Sequence, residues 1–169
     1  MAGGPPEVTD AEVFAALDDR RTLALTAWAE ARRIPRGDHS PVEELIAVMC
    51  VVRNRRPRFA RWRAVNSSYK AICLAPRQFS CWNSGSGSNH DALMTLAKAV
   101  IANQPTPART QFDECLYLAD GVITGAIIDR TGGADSYYAP AAMEPPNRVP
   151  AGAIGRPMTT VGDQLFYVA

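Results

Sequence analysis

The spacing of the apolar residues changes near Gly125, and this change constrains the fold more than any other feature of the sequence. Before Gly125, apolar side chains recur every three or four residues, which is the spacing of one helix face; an example is Val42, Leu45, Ile46 and Met49. After Gly125, short stretches rich in Thr, Tyr and Val alternate with Gly and Pro, which favours strands and tight turns. The sequence therefore predicts an α+β fold that is mostly helical, with a small C-terminal antiparallel β-sheet.

Capping residues and helix breakers set the limits of the predicted elements. Three pairs have the spacing of a capping box, namely Thr9 with Glu12, Ser40 with Glu43, and Thr110 with Asp113. Pro35 and Pro57 are expected to stop the helices before them. We predict helices over residues 10–18, from about 20 to 33, from 41 to about 56, around 65–74, around 93–101 and after 110, and strands over 136–139, 158–161 and 165–168, with Gly162 and Asp163 as a hairpin turn.

Length, charge and hydropathy bound the organisation of the chain. With 169 residues and 47% hydrophobic content, it can bury one ordinary core, so we predict a flexible lead over 1–8 and a single domain over 9–169. The net charge of +1 does not require a nucleic acid or another acidic partner. We expect no membrane insertion, because no apolar run approaches the roughly 18 residues of a spanning helix. The first residues lack the features of a signal peptide, so we expect synthesis in the cytoplasm.

The cysteines and histidines do not have the spacing of a metal site. Cys50 and Cys115 fall on apolar helical stripes and are predicted to be small buried side chains. Cys73 and Cys81 flank a loop, and their pairing is left open. With two histidines and no short cysteine pairs, the sequence predicts neither a structural metal nor a cofactor. We also expect a monomer.

Glu30 is the first candidate for chemistry. On a helix, its neighbours one and two turns back are Ala27, Thr26 and Leu23, so its surroundings are predicted to be apolar. Such surroundings disfavour the charged form of a carboxyl, as a general acid requires. The alternative is an exposed glutamate at a helix end, paired with Arg33.

One strongly basic segment, residues 53–63, contains Phe59 and Trp62 among its arginines. Such a strip could bind nucleic acid or an anionic sugar polymer, or it could be a solvated helix end and loop without a binding role. Asn54 differs from its neighbours, because it continues the helical stripe of Ile46 and Cys50. We therefore predict that Asn54 is buried, needs hydrogen-bond partners and holds the site together.

Two later segments have the composition of a carbohydrate site. Residues 78–83 combine aromatic and amide side chains, which cover sugar faces and bond sugar hydroxyls. Residues 129–140 combine a Gly-Gly turn, carboxylates and two adjacent tyrosines, although a plain turn entering a strand has the same composition. The predicted substrate-binding residues are Asn54, Gln78, Phe79, Ser80, Trp82, Tyr137 and Tyr138.

Taken in order, five short segments resemble the cell wall hydrolase family of the spore-cortex-lytic type (SleB-like). They are residues 29–32 around Glu30, residues 51–55, residues 78–80, residues 129–134 with 137–140, and Gly162 with Phe166 and Tyr167. The resemblance implies a lysozyme-like fold, a groove for the glycan strands of peptidoglycan, and lytic transglycosylase or muramidase activity with Glu30 as the catalytic acid. The chain then resembles a phage-type endolysin, acting on the wall after release or delivery.

Two departures from the family pattern affect the predicted site. Glu30 is followed by Arg33 and Ile34 and a longer connection, where the family usually has Gly-Glu. Before the aromatic pair this chain has Asp135 and Ser136, where the family commonly has Thr or Ser followed by His. Asp135 is thereby a candidate second catalytic carboxylate. The missing histidine leaves open an alternative, a catalytically silent wall-binding or virion protein of the same fold.

Overall fold

The structure, a computed structural model, describes residues 7–31, 42–63, 67–85 and 87–169. Six helices come first and a three-stranded antiparallel sheet lies near the C-terminus, which confirms the predicted α+β class. The elements are α1 (Asp10–Ala16), α2 (Asp19–Glu30), α3 (Val42–Arg63), α4 (Tyr69–Leu74), α5 (Ser88–Ile101), α6 (Arg109–Thr124), β1 (Ser136–Tyr138), β2 (Met158–Val161) and β3 (Gln164–Tyr167).

Helix α2 is the centre of the core. Every residue from Thr22 to Ala29 is buried, and the helix contacts α3, α4, α5 and α6. Alanines on α2 let its neighbours approach closely. Thr22 and Thr26 donate hydrogen bonds to carbonyls four residues back, at 2.6 and 2.7 Å, so their hydroxyls are satisfied inside the core. The end of α2 is therefore held rigidly by packing on several sides.

The sheet has the order β1-β3-β2 and packs against α3. Phe166 of β3 is fully buried and lies in one apolar cluster with Val51 of α3. Gly162 has φ +57°, which glycine adopts without strain, and Val161 pairs with Gln164, so the hairpin turn is confirmed. Glu44 of α3 accepts the Asp163 N–H at 2.8 Å and ties this turn to the helix.

The predicted end of α3 at Pro57 is wrong, because the helix continues to Arg63. Proline removes one backbone donor but does not outweigh the contacts that follow it. Arg56 donates to the Ser67 carbonyl at 2.9 Å, Arg58 pairs with Asp135 at 3.3 Å, and Phe59 packs on the core. These tertiary contacts hold the last turns in helical form.

The predicted capping box of Thr110 with Asp113 is also wrong. Helix α6 begins at Arg109 after Ala108, and no side chain caps it. Asp113 instead pairs with Arg109 at 3.1 Å, one turn earlier on the same helix. The box of Thr9 with Glu12 is confirmed by bonds in both directions.

Several limits shift by one or a few residues. Helix α1 ends at Ala16, α2 begins at Asp19 because Asp18 caps it, α4 begins after its cap Ser68, and β3 begins at Gln164. Helix α2 ends at Glu30, with Ala31 as its cap, three residues before its predicted end at Arg33. The predicted cap at Ser40, the start of the fourth helix near residue 65 and residues 1–6 of the lead lie outside the described residues.

All four cysteines are free and buried, so Cys73 and Cys81 are not paired with each other. Burial raises the pKa of Cys50 to about 11 and the pKa values of Cys73 and Cys115 to about 12. The thiols are therefore neutral at physiological pH. Within the described ranges, no three His, Cys, Asp or Glu side chains are grouped so as to hold a metal, and no helix is long and apolar enough to cross a membrane.

Candidate active site

Glu30 is the last residue of α2, and its two carboxyl oxygens have different surroundings. Oε2 accepts a 2.7 Å hydrogen bond from the hydroxyl of Tyr137. Oε1 is buried and makes no hydrogen bond of good geometry with the described residues, although the Cys81 thiol lies close enough to the carboxyl group to interact with it. A buried oxygen without a partner is costly and uncommon in proteins, so Oε1 is an unused acceptor. We call Glu30 and its neighbours Tyr137, Arg55, Gln78, Phe79 and Cys81 the Glu30 cluster.

Strand β1 places the Tyr137 side chain next to Glu30. Successive side chains of a strand point to opposite faces, so Tyr137 faces the helices while Tyr138 faces away. The Tyr137 ring stacks on Phe166 at 5.3 Å. Burial raises the pKa of Tyr137 well above its usual value, and the charge of Glu30 raises it further. Tyr137 therefore stays protonated and keeps donating to Glu30 at neutral pH.

Arg55 of α3 joins three parts of the cluster. Its Nε donates to the Asp135 carbonyl at 2.7 Å, and one terminal nitrogen lies 3.3 Å from both the backbone and side-chain oxygens of Gln78. Its guanidinium lies 4.8 Å from the centre of the Phe79 ring. Burial lowers the pKa of Arg55, and the charges of Asp135 and Glu30 offset part of this. Arg55 thus supplies a positive charge within electrostatic reach of Glu30.

The loop over residues 78–82 lies beside and beneath the cluster. Phe79 is 2% exposed and Trp82 is 7% exposed. The Trp82 N–H donates to the Thr26 hydroxyl at 2.9 Å, and its ring lies 6.0 Å from that of Phe14. Because both side chains are buried, they pack against the core and have no exposed ring face for a sugar. Ser80 is exposed at the start of a short 3-10 turn.

Cys81 belongs to the same cluster. Burial raises the pKa of its thiol, and the carboxylate of Glu30 raises it further. The thiol is therefore a neutral neighbour of Glu30. The sequence analysis considered Cys81 only as a possible partner of Cys73 and not as a neighbour of Glu30, because a cysteine beside an aromatic loop is also typical of an ordinary core.

Asn54 holds the turn that leads into β1. Its amide donates to Asp129 at 2.8 Å and to the Ala134 carbonyl at 2.9 Å. Thr131 donates to the other oxygen of Asp129 through its backbone and its hydroxyl. Burial raises the pKa of Asp129, but the hydrogen bonds from Thr131 and Asn54 and the charge of Arg53 outweigh it and lower the pKa. Asn54 is partly exposed and not fully buried as predicted, and its hydrogen bonds position the turn.

The carboxylate of Asp135 is already occupied. Arg58 lies 3.3 Å from one oxygen, while the other accepts the Ser136 hydroxyl at 3.1 Å and the Ala169 N–H at 2.8 Å. These bonds fix the side chain as a link between α3, β1 and the end of the chain.

The structure thus brings some predicted site residues together and separates others. Tyr137 contacts Glu30, and Gln78 and Phe79 reach the cluster through Arg55. Tyr138 lies on the far face of the sheet, with its hydroxyl 3.8 Å from the Met158 sulfur. The sequence analysis missed Arg55 as a site residue, although a signal was present: it lies one helical turn beyond the buried Val51.

The first arginines of the basic segment contact the rest of the protein. Arg53 donates to the carbonyls of Val122 and Ile127 at the end of α6, at 3.3 Å each. Arg56 donates to Ser67 and lies 4.7 Å from the centre of the Tyr69 ring. These arginines brace the helices, so they do not form a free strip of phosphate contacts. The absence of nucleic-acid binding stays a prediction.

The family model of the Cell Wall Hydrolase family matches residues 39–167. The chain therefore belongs to the cell wall hydrolase family, whose substrate is peptidoglycan. The match begins after Glu30, so the match itself does not include the predicted catalytic residue. No curated protein and no solved structure matches the chain, and the likeness to lysozyme stays a prediction.

Proposed function

We propose that residues 9–169 form one catalytic domain of the spore-cortex-lytic type, which cleaves the bond from N-acetylmuramic acid to N-acetylglucosamine. The observation that carries this proposal is the asymmetric carboxyl of Glu30, with Tyr137 on Oε2 and, among the described residues, no well-formed hydrogen bond to Oε1. Since Tyr137 donates to Oε2, the proton of the neutral acid lies on Oε1. That proton is the one offered to the glycosidic oxygen.

The reaction needs only this one carboxyl group. Oε1 protonates the glycosidic oxygen, the bond to the muramoyl C1 breaks, and the sugar passes through an oxocarbenium-like state. The resulting carboxylate, still bonded to Tyr137, removes the proton of the muramoyl 6-hydroxyl as that oxygen attacks C1. The product is a 1,6-anhydro sugar and no water is consumed. Because Oε1 is buried, a glycan reaches it only after the atoms that cover it move.

Some of the surrounding residues are proposed to contact the sugar, and others hold the site in place. Gln78 is partly exposed and Ser80 is exposed, so both are proposed to bond sugar hydroxyls. Phe79 and Trp82 are buried and support the loop. Arg55 stabilises the carboxylate that forms after proton transfer, because its positive charge lies within electrostatic reach of Glu30.

Asp135 is not a reacting group in this mechanism, and the Asp135→Asn variant tests this. The asparagine oxygen can still accept the Ala169 N–H, so the fold is expected to be kept with modest destabilisation. Cleavage of purified peptidoglycan should remain within about tenfold of the unsubstituted protein, whereas loss of a nucleophilic carboxylate costs about 10³-fold or more.

Digestion in oxygen-18 water distinguishes the two chemistries in the same experiment. Direct transglycosylation gives muramoyl ends that are lighter by one water and carry no label. Labelled reducing ends, together with an inactive Asp135→Asn protein, would instead make Asp135 a second catalytic group and this a hydrolysing muramidase.

Tyr137 and Tyr138 provide a matched pair for testing how Glu30 is held. Tyr137→Phe removes the donor to Oε2, so we expect kcat to fall about 10- to 100-fold. Tyr138→Phe, which removes only the contact with Met158, should leave kcat unchanged. Equal kcat values for the two variants would contradict the assigned role of Tyr137.

A further inference from the structure

A cavity of about 370 Å³ lies next to the Glu30 cluster and shares two residues with it. Arg55 and Gln78 form part of its wall. Its other main lining residues are Arg58, Phe59, Arg77 and Asp135. The volume lies within the range of about 300–1,000 Å³ that is usual for ligand sites.

The charge of this cavity is unbalanced. Three arginines line it, and the only acidic side chain among the described residues of its lining is Asp135, which Arg58 already pairs with; Ser136 and the last residue, Ala169, complete the wall. Arg77 is exposed, and the structure places no carboxylate against it within the described ranges. Because Arg55 already donates to Asp135 and Gln78, the positive charge at this cavity that would hold a bound anion is that of Arg77.

The backbone holds Arg77 in an unusual conformation. Its φ is +64°, in the left-handed region that residues other than glycine rarely adopt. The following Gln78 donates its N–H to the Ala75 carbonyl at 3.2 Å, which closes the turn. The same turn that sets Gln78 against Arg55 thus fixes the backbone of Arg77 at the cavity.

We infer that this cavity binds a carboxylate of the peptidoglycan strand that is being cut. The inference rests on the proposed function, since Arg55 and Gln78 connect the cavity with Glu30. The glycan backbone itself offers few charges. A carboxylate comes either from the stem peptide or, where the peptide has been removed, from the lactyl group of muramic acid. The planar fork of Arg77 suits either carboxylate.

Binding to insoluble peptidoglycan tests this without requiring cleavage. Glu30→Gln protein and the double variant Glu30→Gln with Arg77→Gln are sedimented with native peptidoglycan and with peptidoglycan whose carboxyls have been converted to neutral amides. On native material the Arg77→Gln change should weaken binding about tenfold, the loss expected for one charge-assisted contact. On the amidated material the two proteins should bind equally.

Two controls separate recognition from net charge and from misfolding. Arg156 is another exposed arginine, in a loop distant in sequence, so Arg156→Gln should leave binding to native material unchanged. Arg77→Lys keeps the charge but loses the fork, so its loss should be smaller than that of Arg77→Gln. Thermal unfolding of each variant shows whether it folds.

The substrates also distinguish the two sources of the carboxylate. If the stem peptide supplies it, removing the peptides with an amidase abolishes the effect of Arg77→Gln. If the lactyl group supplies it, the effect becomes larger. Equal binding of the two proteins to native and to amidase-treated material alike, or the same loss on amidated material, overturns the inference. Failure of the unsubstituted protein to cleave peptidoglycan would overturn the proposed function and leave this result standing.

Discussion

The Glu30→Gln variant is expected to lose at least about 10³-fold of the peptidoglycan-cleaving activity, because glutamine has no proton to transfer at neutral pH. Glutamine has nearly the same shape, and its amide oxygen can accept the Tyr137 hydroxyl as Oε2 does. The melting temperature should therefore change little. The activity is measured as the loss of turbidity of purified cell walls, and the fold is checked by thermal unfolding.

Glu43→Gln is the matched control for this loss. The Glu43 side chain is 77% exposed and lies 4.0 Å from Arg130, and the proposed mechanism gives it no part in proton transfer. Its activity and melting temperature should equal those of the unsubstituted protein. A folded Glu30→Gln protein with full activity would rule out Glu30 as the acid. If the unsubstituted protein and Glu43→Gln both bind peptidoglycan but do not cleave it, the alternative of a catalytically silent wall-binding protein is correct.

Arg55→Met is expected to have the second largest effect, on both activity and stability. Methionine fills part of the space but leaves the Asp135 carbonyl and both Gln78 oxygens without their donor. Removing a largely buried charge from its partners costs about 2–4 kcal/mol in free energy of unfolding. We expect activity to fall about 100-fold, because the charge within electrostatic reach of Glu30 and the position of the 78–82 loop are lost together.

Arg55→Lys and Arg61→Met make this prediction specific. Lysine keeps the positive charge but cannot donate as a fork, so its activity and stability should lie between those of Arg55→Met and the unsubstituted protein. Arg61 is exposed on the same helix and contacts only the Pro57 carbonyl in the structure's described part, at 3.4 Å, so its substitution should have little effect. Urea unfolding gives the stabilities. An Arg55→Met protein as active as Arg61→Met would remove Arg55 from the site.

The fold class and several local features could be predicted because they depend on local sequence. The spacing of apolar residues gave the α+β class, and the Thr9 box and the Gly162 turn each depend on a few adjacent residues. The end of α3 could not be predicted, since the contacts that carry the helix past Pro57 come from distant parts of the chain. Propensity is a weak guide where tertiary contacts compete with it.

The candidate site was predictable as a set of segments but not as an arrangement. Tyr137 and Tyr138 look alike in the sequence, and only the strand register decides that Tyr137 meets Glu30. An aromatic loop is typical of a sugar platform and also of a core, and the structure places Trp82 in the core. Arg55 could not be identified as a site residue, because it is one of several arginines in the basic segment and the sequence does not distinguish their roles.

The most direct measurement is mass spectrometry of peptidoglycan digested by the unsubstituted protein and, in parallel, by Glu30→Gln. The proposed mechanism predicts 1,6-anhydromuramoyl fragments from the unsubstituted protein and none from Glu30→Gln. The absence of glycan fragments from the unsubstituted protein, or equal amounts from both proteins, would contradict the assignment of Glu30 as the catalytic acid of this cell wall hydrolase.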